Sequence, residues 1–250
     1  MPEAFLRFYG MLTDLLDPNI RGRRTQVARF DVSPSLKALI ESFGVPHTEI
    51  DLTVVNGDAA ELSRAVRDGD RIAVYPAFHE LAVREPAGAA PLHFVLDVHA
   101  GKLARWLRML GFDALWRNDA ADADLAQISA AEDRILLTRD RGLLMRNEVR
   151  RGYWLRFTDP KQQLAEVIER YDLLPRALPF SRCLECNGTL KAVSKESIAA
   201  PAGVLARHEE FRRCGGCRRV FWKGSHYERM TRLIEMARSA ATRSGDRTSN

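Results

Sequence analysis

Four cysteines have the most constrained chemistry in this 250-residue chain. Cys183 and Cys186 form one C-x2-C pair, and Cys214 and Cys217 form a second after 27 intervening residues. Each C-x2-C can make a tight turn that aims two sulfurs at one point. Two such turns supply four thiolates in a tetrahedron, the closed coordination of a structural zinc ion. The segment they bracket has few large apolar side chains, so it needs a metal staple to fold. A thioredoxin-type redox pair would sit in a strand–helix–strand context, which is absent around either pair. His208 and His226 are alternative ligands by type, although surface histidines are the plainer reading of both.

A second constellation is acidic. Asp97 directly follows an apolar strand-like run, Asp140 follows another after two residues, and Asp122 opens the helical stretch leading into that second run. In α/β sheets ligands bind beyond the carboxyl ends of the strands. Three carboxylates meeting there would repel one another unless a divalent cation neutralised them. Oxygen ligands suit Mg²⁺ or Mn²⁺, ions that activate water and stabilise phosphodiester displacement. Each aspartate also has an ordinary reading as a helix cap or loop residue, and Asp124 is an alternative to Asp122. Asp113, Asp119 and Asp133 read as loop charges. Beside Asp97, the residues Lys102, Arg105 and Arg108 are spaced three apart, opposite a leucine stripe. Arg139 and Arg141 flank Asp140. Cations beside an acidic metal site are what a polyanionic substrate requires.

The elements that must position these groups fall into three parts. In residues 1–78, FLRFY at 5–9 alternates like a strand, and Gln26–Val32 is a second strand-like run. A short helix spans Ser35 to Phe43, a strand spans Thr48–Asn56 and closes at the Asn56-Gly57 turn, and Arg71–Tyr75 is a further strand after Asp68-Gly69-Asp70. This β–β–α–β–β order predicts a β-grasp. Residues 79–91 have linker composition. From 92 to 175 strands alternate with helices: strands at His93–Leu96, Phe112–Trp116, Arg134–Thr138 and Tyr153–Phe157, helices at His99–Leu110, Ala123–Glu132, Arg141–Glu148 and Lys161–Tyr171. Short loops between them predict a parallel sheet covered on both faces, with Asp122 placed to cap the second helix. Residues 176–238 hold the cysteine ribbon and a helix carrying Tyr227, Met230, Leu233 and Ile234. The tail, 239–250, has the composition of a disordered segment.

Two resemblances attach to these residues. VNGD at 55–58 and DGDRIAVYPAF at 68–78 look like the ubiquitin-like sulfur carriers of molybdopterin and thiamine synthesis. Those carriers act through a free C-terminal Gly-Gly, whereas this chain continues, so the resemblance implies a binding or packing module without sulfur chemistry. HFVLDVHAGKLARWLRMLGFDAL, then DADLAQISAAEDRILLTRDRGLL, then the double CxxC with RRVFWKGSHYERM, resemble the Mut-seven C-terminal RNase family, a PIN-like group of nucleases. The resemblance implies a PIN-like, metal-dependent ribonuclease preceded by a ubiquitin-like module and followed by a zinc ribbon. On matching positions Asp97, Asp122 and Asp140 would hold Mg²⁺ or Mn²⁺. Many PIN domains carry another acid two residues after the third. Gly142 stands there, which implies one ion rather than two.

The charge is uneven. Net charge is −3 over residues 1–91, zero over 92–175 and +8 over 176–250, giving +5 in all. The arginine-rich excess around the cysteines suits phosphate contacts. RNA is therefore the expected partner, with Lys102, Arg105, Arg108 and Arg139 as phosphate contacts. The N-terminal module is a candidate site for a protein partner, and its removal is expected to leave a folded nuclease domain. Alternative readings are a non-catalytic RNA-binding adaptor and a scaffold recruiting a protein through the β-grasp. No run approaches the roughly 18 apolar residues of a membrane span. The N-terminus lacks signal-peptide order and the cysteines are few and clustered, so the expected compartment is the cytoplasm.

Overall fold

The structure, a computed structural model, describes residues 1–76, 92–224 and Thr231. In chain order its elements are β1 (Glu3–Phe8), α1 (Pro18–Arg21), β2 (Gln26–Arg29), α2 (Leu36–Ser42), β3 (Ile50–Val55), β4 (Asp58–Ala59) and β5 (Arg71–Pro76). Then follow β6 (His93–Leu96), α3 (Gly101–Met109), β7 (Asp113–Trp116), α4 (Asp122–Ala131), β8 (Ile135–Thr138), α5 (Arg141–Leu144), β9 (Gly152–Trp154) and α6 (Pro160–Tyr171). Last come β10 (Leu190–Val193), α7 (Ala202–Arg207), β11 (Phe211–Cys214) and β12 (Val220–Trp222). The linker at 79–91, the helix carrying Tyr227 and the tail at 239–250 lie outside the described residues.

The first five strands form one sheet in the order β2-β1-β5-β3-β4, with β1 and β5 parallel at its centre and antiparallel partners on either side. This is the expected β-grasp. Alternation drives it: Ala4, Leu6 and Phe8 of β1 and Ile72 and Val74 of β5 face inward, where Leu36, Leu39 and Ile40 of α2 cover them. Ser35 caps α2 by accepting a hydrogen bond from the Ala38 amide. Asn56 and Gly57 both have positive φ, 55° and 102°, so the hairpin between β3 and β4 is the two-residue type that matches strand twist. The turn before β5 is locked by Asp70, only 3% exposed. Its carboxylate accepts from Arg64 at 2.7 Å, Asn56 Nδ2 at 2.8 Å and the Arg67 amide at 2.8 Å. The Arg64 guanidinium, more than the amide bonds, holds the Asp70 carboxyl below its usual range against the opposing effect of burial.

Between residues 92 and 154 the strands pair in parallel, β6 with β7 and β8 with β9, whereas β10, β11 and β12 form a separate antiparallel sheet. All four residues of β8 are buried, as a strand covered on both faces requires. Some sequence boundaries shift. The helix expected over Arg141–Glu148 is a single turn, because Gly142 and Asn147 are poor helix formers. Asp122 begins α4 as its first residue and does not precede it as a cap.

By internal contact the chain divides into two compact units that cut across the sequence segments. One joins the described residues 1–76 to Asp122–Trp154; the other joins 92–121 to the residues from Leu155 onward. In the first unit the β-grasp is fastened to the α5–β9 segment. Glu49, 2% exposed, accepts from the Trp154 amide at 2.6 Å. His47 bridges Glu41 Oε1 at 2.7 Å and the Val149 carbonyl at 2.8 Å. Arg141 Nη1 donates to the Leu15 carbonyl at 2.6 Å, and its guanidinium lies 5.8 Å from the Trp154 ring centroid. Trp154 packs against the β-grasp core itself. A Cβ at Gly152 would meet Leu144 Cδ2 at 2.5 Å, so only glycine lets β9 approach this closely.

These contacts lead us to propose that removing residues 1–78 would loosen 141–154. Glu49→Ala orphans a buried amide and is expected to cost about 2 kcal/mol. Denaturant melts should show it, and hydrogen exchange should show the amides of 141–154 losing protection together with the β-grasp. A deletion of 1–78 whose 141–154 amides kept full protection would contradict this coupling. Asp70 adds a pH dependence. Its pKa is depressed on folding, so its stabilisation is present above the unfolded carboxylate value, about 3.9, and is lost as pH falls through the lower folded value. Asp70→Asn should flatten the acid limb of the stability profile and lower stability at pH 7.

Candidate metal centre and active site

The ribbon brings the four cysteines together. Cys183 Sγ lies 3.6 Å from Cys217 Sγ, Cys186 Sγ lies 3.3 Å from Cys214 Sγ, and all four sulfurs fall within 4.8 Å of one another. A tetrahedron of thiolates about 2.3 Å from zinc has sulfur–sulfur edges of about 3.8 Å, so the spacing fits. Among the described residues this is the one group of three or more metal-ligating side chains with its donors so gathered. His208 is not part of it, and His226 lies outside the described residues.

The two turns repeat each other. In the first, the Asn187 amide donates to the Cys183 carbonyl at 3.0 Å and the Cys183 amide to Gly188 at 2.8 Å. In the second, the Arg218 amide donates to the Cys214 carbonyl at 3.2 Å and the Cys214 amide to Arg219 at 2.9 Å. The residue after each second cysteine is left-handed, Asn187 at φ 67° and Arg218 at φ 61°. Gly188 is forced by the site, since a Cβ there would stand 2.9 Å from Cys214 Sγ. The thiols are electrostatically unequal. Burial pushes Cys183 up to about 12. Burial also opposes ionisation of Cys186, but the Gly188 amide and the neighbouring Cys214 and Cys217 thiols bring it down to about 6. A divalent cation would hold all four as thiolates, because a coordinating thiol is deprotonated outright.

The ribbon is fastened to α3 and β7. Arg108 was expected on an exposed basic face, but it is 4% exposed. Its Nε donates to the Ala114 carbonyl at 2.8 Å and its Nη1 to the carbonyls of Leu184 and Glu185 at 3.0 and 2.9 Å. Three backbone acceptors, two at the cysteine turn and one on β7, outcompete water for a guanidinium on this side of the helix, so Arg108 is a structural tie and not a phosphate contact. Burial lowers its pKa, against the pull of the nearby cysteines. Asp113 is likewise no loop charge: Asn187 Nδ2 donates to it at 2.7 Å and Arg182 pairs with it at 3.4 Å. Neither role carries a local sequence signal, because both depend on which loop folds back onto α3. Lys102 and Arg105 do lie on the exposed side, and Arg105 pairs with Glu185 at 2.8 Å.

The aspartates are placed by their own elements. Asp97 directly follows β6 and is 8% exposed; its Oδ1 accepts from the His99 amide at 2.9 Å, capping the turn that leads into α3. Gly101 allows that turn to sit on the Trp116 ring, which a Cβ would meet at 2.7 Å. Asp140, two residues past β8, caps α5 through Oδ1, which accepts from the amides of Gly142 at 2.7 Å and Leu143 at 3.3 Å. Its own amide donates to Thr138 Oγ1 at 2.9 Å. Asp122 and Asp124 both stand in the first turn of α4, exposed, and Arg139 is exposed beside Asp140. Asp97, Lys102 and Arg105 belong to one compact unit; Asp122, Asp124, Arg139 and Asp140 belong to the other.

A ribbon of four cysteines spaced to hold a metal ion, parallel strands followed by aspartates and a leading β-grasp point to a nuclease-type protein with a ubiquitin-like module. The Mut7-C RNAse domain matches residues 92–234, and the chain belongs to that family; the Mut7-C ubiquitin domain matches residues 1–82. Two solved structures from Haloferax volcanii are similar to part of it. Small archaeal modifier protein 1 is 18% identical, covering 31% of this chain and 100% of that one with a TM-score of 0.26. A second structure of the same protein, SAMP1, is 18% identical, covering 32% and 99% with a TM-score of 0.25. No curated protein matches significantly. Among the described residues no helix is long and apolar enough to cross a membrane.

Zinc analysis should give one ion per chain, with sulfur scatterers at about 2.3 Å by X-ray absorption. Because binding expels the protons of the raised thiols Cys183 and Cys217, zinc affinity should fall as pH drops through the neutral range, and more steeply below about 6, where Cys186 also gains a proton. Cys214→Ser should lose the ion and expose the ribbon to protease. Retention of one tightly held zinc by that variant would exclude the four-sulfur site.

Proposed function

We propose that the chain is a metal-dependent ribonuclease that hydrolyses RNA phosphodiesters, with Asp97, Asp122 and Asp140 as ligands of Mg²⁺ or Mn²⁺ and Asp124 as the alternative to Asp122. The observation that carries the reading is a repeated unit. Asp97 and Asp140 each stand at the carboxyl end of a parallel strand and cap the turn or helix that follows. That is where α/β sheets present ligand-binding groups. Oxygen donors fit these hard cations. Capping engages Oδ1 of Asp140, and among the described residues its Oδ2 has no hydrogen-bond partner.

A bound ion would supply Lewis acidity and charge neutralisation at the phosphodiester. The side chains supply placement. The cap bonds fix Asp97 and Asp140 against rotation, and burial of Asp97 limits the water competing for its carboxylate. Lys102, Arg105 and Arg139 would hold phosphates. Arg105 must share its guanidinium with Glu185. The same reading takes RNA as the substrate and the cytoplasm as the compartment, and leaves the module a candidate site for a protein partner.

Asp140→Asn tests this. Asparagine caps a helix as well as aspartate, so the thermal midpoint should stay near that of the parent protein. Losing a ligand charge should lower Mn²⁺-dependent cleavage of mixed RNAs at least about 100-fold. Undiminished cleavage by the variant would remove Asp140 from the site. RNA binding without cleavage by the parent protein, with or without Mn²⁺, would replace the enzyme by an RNA-binding adaptor.

A further inference from the structure

We propose that the outward face of the β-grasp sheet is a binding platform for single-stranded RNA; the choice of ligand rests on the ribonuclease reading. In β1 and its parallel neighbour β5, alternate residues enter the core, and the others face away from α2. Outward stand Phe5 and Arg7 of β1, with Tyr9 just beyond it, and Arg71, Ala73 and Tyr75 of β5. The register sets Phe5 beside Arg71 and Arg7 beside Ala73. Tyr9 and Tyr75 stack with centroids 4.5 Å apart and planes 13° apart. Opposite Phe5 on β2, Val27 is 50% exposed. Phe5, Arg7, Thr25, Arg71, Ile72 and Ala73 line a groove of about 440 Å³.

Along β1 the sequence is thus aromatic, arginine, aromatic at every second residue, with Phe5 and Tyr9 about 13 Å apart. Stacking on an aromatic face tolerates any base, and the arginine fork between the two rings suits a phosphate. Both arginines are available. Arg7 Nε donates only to Thr25 Oγ1, at 3.1 Å, and among the described residues neither Arg7 nor Arg71 has a carboxylate partner. By contrast, Arg29 pairs with Glu3 at 3.6 Å. Arg23 and Arg24, both exposed, precede Thr25 at the groove. Residues 1–76 hold nine Lys and Arg against eleven Asp and Glu, net −2. The basic face is therefore a segregation of charge within an acidic module, complementary to a polyanion. A protein partner would favour a contiguous apolar patch, and here arginines interrupt the apolar side chains in both central strands.

The test uses the full chain without added divalent ion and a fluorescein-labelled ten-nucleotide oligo(U), read by anisotropy. Arg7→Glu with Arg71→Glu should weaken binding tenfold or more and reduce the slope of log affinity against log salt by about 1.4. Phe5→Leu keeps an apolar side chain but removes the ring, and should weaken binding about tenfold. Thermal melts confirm that each variant folds. A 4-thiouridine version of the probe should crosslink to peptides holding residues 5–9 or 71–75. Crosslinks confined to 92–224, or unchanged affinity in both folded variants, would overturn the platform, as would preferential binding of a labelled poly-glutamate peptide at this face. Mn²⁺-dependent cleavage of the same oligonucleotide is scored separately. Binding at the face without cleavage overturns the ribonuclease reading alone, and cleavage without binding at the face overturns the platform alone.

Discussion

The first amides of a helix have no partner within it, and much of this structure follows from the acceptors found for them. Aspartates do this at Asp17, Asp97, Asp140 and Asp159, each accepting one or two amides at the start of the following turn or helix. The capping requirement fixes where a carboxylate stands and how it is turned. Two of these caps, Asp97 and Asp140, lie at or just past the ends of strands in parallel pairs. Under the proposed function the same placement would serve a cation, since the cap of α5 engages Oδ1 of Asp140 and would leave Oδ2 for the ion.

What could be read from the sequence is what short-range physics decides. The alternation in β1 and β5, the Asn56-Gly57 hairpin and the two C-x2-C turns involve residues a few positions apart, and all three were legible. Strand-to-helix alternation likewise revealed where Asp97 and Asp140 would stand. Arg108 was misread because helical periodicity says only that it faces away from Leu103 and Leu107. It cannot say that the carbonyls of Leu184 and Glu185, more than 70 residues later, cover that side. Asp113 was misread for the same reason. The fastening of β-grasp to α5 and β9 through Glu49, His47 and Arg141 was invisible too, since each partner is a backbone atom and backbone leaves no trace in composition.

That fastening changes what the ubiquitin-like module is within the chain. A ubiquitin-like protein that acts as a tag needs a surface and a tail that are both accessible. Here the edge around α2, Gly44 and Glu49 is committed to 141–154, with Trp154 packed, half-buried, against the module's core. Arg141, which follows the cap of α5, is anchored in carbonyls of the module. The β-grasp thus helps define the position of the helix that Asp140 begins, while its open sheet face remains for another use.

Arg108 sits near the C-terminal end of α3, and Gly101, four residues after Asp97, begins that helix. The distance between them is about two helical turns, or roughly 10 Å. A helix of that length is a stiff rod. One end is gripped by carbonyls that the cysteine turn holds in place; the other begins where a candidate active-site carboxylate makes its cap. The two turns, one holding cysteines and one capped by Asp97, are therefore kept at a fixed spacing by the helix between them.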